Sequence, residues 1–153
     1  MVIGMASFQF RLEKVLTLRE ADRQQCRAEL AEALQAERIL ESQDDEVNQE
    51  LQIIRQSAQS AAGPGDINVS QLLDIHRYEM VLRTQLAEVV NRKELLIAEI
   101  GKRRERLVEA DKQVRVLEKL RDRRLEAHLL KEQALETKIM DEIAQTQTQR
   151  IRR

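Results

Sequence analysis

With 153 residues and a formal net charge of −1, the chain is long enough for one domain and too nearly neutral to hold a polyanion by bulk charge. Charged residues make up 35% of it, aromatic residues 2%, and Trp is absent. That composition excludes a thick core of bulky side chains and is the makeup of long helices packed along narrow seams.

The opening MVIGMASF carries a short apolar run broken by Gly4, with no Lys or Arg before it, which is not the form of a secretory signal. No stretch reaches the roughly 18 apolar residues of a membrane span. The single cysteine, Cys26, excludes an intramolecular disulfide and fits a reducing cytosol.

A first helix is predicted over about 8–61. Ser7 is placed as its cap, with Phe8 and Phe10 in the first turn. A heptad register runs through it: Leu12, Cys26, Ala33, Leu40, Val47, Ile54 and Ala61 alternate with Leu16, Leu30, Leu51 and Ala58. Arg19, Arg23, Glu37 and Asp44 are the polar positions of the same seam.

The segment 62–67 breaks the helix. In Gly63-Pro64-Gly65, Pro64 removes a backbone donor and the glycines permit positive φ. Asn68 followed by Gln71 has the form of a capping box, opening a second helix over about 69–147. Its stripe runs Leu72, Ile75, Leu82, Leu86, Val89, Leu96, Ile100, Leu107, Ala110, Val114 and Leu117, with Glu79, Lys93 and Arg103 at polar positions.

So short a loop makes the two helices antiparallel neighbours. The expected fold is all-α, a single domain formed by a two-helix antiparallel coiled-coil hairpin with an overhanging second helix. Setting Ala58 against Leu72 brings Ile54 to Ile75, Val47 to Leu82, Leu40 to Val89 and Leu12 to Leu117, and places Glu37 opposite Lys93. Gly101, in mid-helix, costs about 1 kcal/mol relative to Ala.

Pairing is used up near Leu117. On the order of 40 Å of helix remains at 1.5 Å per residue, and its apolar stripe shifts to Leu125, Leu129, Leu135, Ile139 and Ile143, as at a stutter. Charge is uneven as well. Glu29–Glu50 holds eight acids and one Arg, whereas Lys102–Lys131 holds eleven basic residues and six acids. Interleaved acids and the lack of stacking aromatics make the basic stretch a solvated helix face or a docking surface for an acidic protein, with no nucleic-acid partner.

No phosphate loop, H-E-x-x-H, C-x-x-C or G-x-S-x-G is present, and His76 and His128 read as plain helix residues. The expectation is a non-enzyme without metal or cofactor. Near the loop, Tyr78 flanks the seam beside Leu82 and Leu86. It either covers the seam edge or meets a partner, and the off-seam Val81, Val90 and Ile97 favour contact.

The run FQFRLEKVLTLREAD (Phe8–Asp22) resembles the opening signature of the FliJ family of flagellar type III protein export, F-x-F-R-L-x-x-V-L, matched at Phe8, Phe10, Arg11, Leu12, Val15 and Leu16. The run from Leu117 through Asp141-Glu142-Ile143-Ala144, with the basic stretch Lys119–Arg124, resembles the family's carboxy-terminal block.

The resemblance implies a cytoplasmic coiled-coil stalk, peripheral at the inner membrane. It would sit in the pore of the hexameric export ATPase, contact an export-gate membrane protein and handle export chaperones, without inserting into the membrane. On that basis Arg121, Arg123, Arg124, Leu125, Leu129 and Ile139 are candidate ATPase contacts, and Tyr78 and Leu82 candidate gate contacts. The analogous injectisome stalk and a generic cytoplasmic coiled-coil scaffold, self-associating through the overhang, remain the alternatives.

Overall fold

In the computed structural model, which describes residues 7–151, two helices account for nearly all the chain: α1, Glu13–Ala61, and α2, Val69–Ile151. They pack on each other as an all-α helical hairpin, with no strand among the described residues. The reading of residues 1–6 as no secretory signal lies outside the described residues. By compactness the chain divides into a hairpin unit, Gln25–Val108, and a terminal unit made of the stretches up to Gln24 and from Glu109 onward.

In the hairpin unit, the last turn of α1 closes with the Ala62 amide donating to the Ala58 carbonyl at 3.0 Å. Gly65 then takes φ 143°, a conformation that a Cβ would strain. Asn68 caps α2 as the spacing predicts, its Oδ1 accepting from the Gln71 amide at 3.2 Å.

Ala33, Leu51, Leu82, Val89 and Ile100 are buried, and all lie on the predicted seam rows. The polar layer differs from the expectation. Lys93 donates to Asp44, at 3.1 Å, and not to Glu37. A helical side chain leans toward its own N-terminus. In an antiparallel pair that lean carries the long lysine stem past Glu37 to the next polar seam position, where both partners are partly buried. The hydrogen bond to Asp44 holds Lys93 above its ordinary pKa against the opposing effect of desolvation.

In the terminal unit, Leu16 and Val114 form a core with Phe10, and Phe8, Leu12, Leu117 and Leu120 pack against it. Arg23 donates to Asp111 at 3.2 Å, while its Nε is buried without a hydrogen-bond partner. The expected start of helix 1 at Phe8 is corrected: α1 begins at Glu13, and residues 7–10 are non-helical. The reason lies in the spacing of Phe8 and Phe10. On a helix, residues two apart point to different sides, whereas in extended chain they share one side. Outside the helix both rings reach α2, Phe8 at His128 and Phe10 at Arg124.

Candidate partner-binding surfaces

The Phe8–Phe10 segment is fastened to α2 toward the end of its basic stretch. The Phe8 ring lies 5.6 Å from the His128 ring, and the Arg124 guanidinium sits 5.9 Å from the centre of the Phe10 ring. Both are soft, orienting contacts, the second of cation–π type. Arg121 lies 3.9 Å from the Glu13 carboxylate, and His128 lies 3.2 Å from Glu132. A shallow groove of about 570 Å³ is lined by Phe8, Phe10, Arg11, Lys14 and Arg121. Sequence reading placed His128 as a plain helix residue and left the Phe8 contact unseen. The period-two F-x-F was the signal that could have revealed it.

Of the residues assigned to an ATPase contact, Arg121 and Arg124 therefore already serve the amino-terminal segment, while Arg123 is exposed. Leu125, Leu129 and Ile139 are solvent-facing, Leu129 at 47%, and Ile143 continues their row. At 100° per residue these four fall on one side of α2, a row of large apolar side chains with no cover among the described residues. Glu132 and Glu136 lie on the same side.

The residues assigned to a gate contact separate. Leu82 is only 1% exposed, in the hairpin seam, and so is not presented at the surface. Tyr78 is exposed, its hydroxyl donating to Glu50 at 2.9 Å. That hydrogen bond, reinforced by the negative charge of Glu50, holds the phenol above its ordinary pKa of 10.0. The ring is thus oriented across the hairpin while one side stays open.

The described residues contain no cluster of His, Cys, Asp and Glu able to hold a metal, and no helix of the described chain is long and apolar enough to cross a membrane. What the fold does present is an antiparallel helical hairpin whose second helix ends in an open apolar row. The class is that of all-α helical hairpins with apolar side chains exposed along the second helix. Within it, the family model described as Flagellar FliJ protein matches residues 8–153, and the chain belongs to that family of flagellar export proteins. No curated protein and no solved structure matched the chain.

Proposed function

We propose that this protein is a non-enzymatic, cytoplasmic stalk of flagellar type III protein export, peripheral at the inner membrane. In this reading the end of α2 enters the hexameric export ATPase, an export-gate membrane protein takes the Tyr78 surface, and export chaperones are handled by the same chain. A stiff helix pair would pass the asymmetry of the ATPase ring toward the gate by mechanical coupling.

The observation that carries the reading is the open row Leu125, Leu129, Ile139 and Ile143. A helix gains most of its stability from packing an apolar face. A row that finds no cover among the described residues supports a partner that would cover it. Family membership supplies the flagellar export setting in which a ring of ATPase subunits would provide that cover.

The test is the double substitution Leu129→Asp and Ile139→Asp. Both side chains are exposed, so helicity and melting of the free protein should stay nearly unchanged, whereas stimulation of the ATPase should be lost because two unpaired charges would enter the interface. ATPase binding at unchanged affinity would contradict the reading. For the gate, Tyr78→Ala should weaken binding by about tenfold with no change in melting. Loss of stability matching loss of binding would mark Tyr78 as a packing residue only.

A further inference from the structure

A second row runs along the face of α2 that the seam with α1 does not use. Val90, Glu94, Ile97, Gly101, Arg104 and Val108 succeed one another at steps of four, three, four, three and four, the spacing of a coiled-coil seam. All six are exposed, Ile97 at 56% and Val108 at 55%. A Cβ at Gly101 would meet nothing within 4 Å, so α1 does not require the glycine and it leaves an open notch in the row. Neither Glu94 nor Arg104 enters an ion pair among the described residues, although their neighbours Arg92 and Arg103 pair along the helix with Glu88 and Glu99.

We propose that this row is a self-recognition surface, on which a second copy of the chain lays the same face of its own α2 antiparallel, forming a weak two-fold dimer. The row is self-complementary about position 99. A two-fold axis there sets Val90 against the partner's Val108, Ile97 against the partner's Gly101, and Glu94 against the partner's Arg104, each pairing occurring twice. Every layer then joins opposite heptad positions, as antiparallel coiled coils require, and the side chain of Ile97 fills the notch at Gly101.

Charge selects this arrangement over its rivals. A parallel pairing in register would set Glu94 against Glu94 and Arg104 against Arg104, two like-charge layers. A strongly basic or acidic partner helix would satisfy one of the two charges and oppose the other. The row spans on the order of 27 Å of helix, which places the contact at the small, reversible end of interfaces. The dimer uses no residue of the Leu125–Ile143 row, so it stands whether or not the stalk reading does.

Sedimentation equilibrium of the full chain across a concentration series at low salt is the test. The expected result is a reversible monomer–dimer equilibrium. Either reversal, Glu94→Arg or Arg104→Glu, should weaken it by about tenfold or more, and the double reversal should restore it. Circular dichroism of each variant checks that helicity is kept. Orientation is read in a Cys26→Ser background: Val90→Cys and Val108→Cys chains should form a disulfide dimer when mixed and oxidised, and neither should alone. A chain that stays monomeric throughout, a dimer indifferent to both charge reversals, or Val90→Cys chains that couple to themselves would overturn the proposal. So would a dimer that is lost only with Leu129→Asp and Ile139→Asp.

Discussion

In the hairpin unit, Gln25–Val108, the apolar residues at heptad positions face a second helix, and Leu82, Val89 and Ile100 are shut away from water. In the terminal unit the same helix, α2, carries a further apolar row, Leu125, Leu129, Ile139 and Ile143, interrupted by Glu132 and Glu136, and its apolar residues remain exposed. The two stretches have similar composition and one continuous helical backbone, so helix propensity does not distinguish them. The difference is the partner. Where α1 lies alongside, periodicity becomes burial; where it does not, periodicity leaves an apolar row open to solvent.

The contrast is sharpest in paired truncations. Leu82→Ala removes a fully buried side chain and should lower hairpin stability by about 2–5 kcal/mol. Leu129→Ala, the same chemical change on the same helix, should stay within about 0.5 kcal/mol. Urea or thermal unfolding of the two variants, side by side, measures this directly. Equal losses would mean that the end of α2 is packed in the free protein.

Between these extremes lies the amino-terminal segment. Phe10 is buried in the core it forms with Leu16 and Val114. Phe10→Ala should cost about 3 kcal/mol within the terminal unit, and amide exchange should accelerate around Val114–Leu120 while Leu82–Ile100 holds its protection. A uniform acceleration would erase the distinction between the two units.

How far the sequence foretold all this depends on which period was at work. The seam was legible because a 3.5-residue repeat runs through both helices, and Leu16, Ala33, Leu51, Leu82, Val89, Ile100 and Val114 are buried on the rows it predicts. The Asn68 cap was legible because the acceptor stands three residues before the amide it meets. The fastening of Phe8 and Phe10 was not, because two aromatics at a spacing of two were absorbed into a helical pattern that begins only at Glu13. Nor was the Lys93–Asp44 pair, since a register names the facing residue and a lysine stem reaches beyond it. Leu125, Leu129 and Ile139 were legible as an apolar row, whereas the engagement of Arg121 with Glu13 and of Arg124 with Phe10 was not.

Smaller effects sharpen the picture of the hairpin unit. Gly101→Ala should raise the stability of the monomer by about 1 kcal/mol, because the backbone gains helix preference and the added methyl meets open space. A loss would reveal a neighbour that the free chain lacks. The smallest effect is a pH dependence. The hydrogen bond from Arg103, at 3.0 Å, holds the Glu99 carboxyl below its ordinary range. A lowered folded pKa gives a contribution fully present above the unfolded value, about 4.3, and lost as pH falls through the folded one. Arg103→Leu should therefore flatten the fall of melting temperature in that acid window and leave the slope near neutrality as it was.

The central proposal is that the apolar row at the end of α2, without cover among the described residues, is covered by the export ATPase. Amide hydrogen exchange of the full-length protein, alone and with the ATPase hexamer, tests it most directly. Residues 129–145 should exchange much faster than Leu82–Ile100 in the free chain, and become protected when the hexamer is added. Strong protection of 129–145 in the free monomer, or exchange there that the hexamer leaves unchanged, would contradict it.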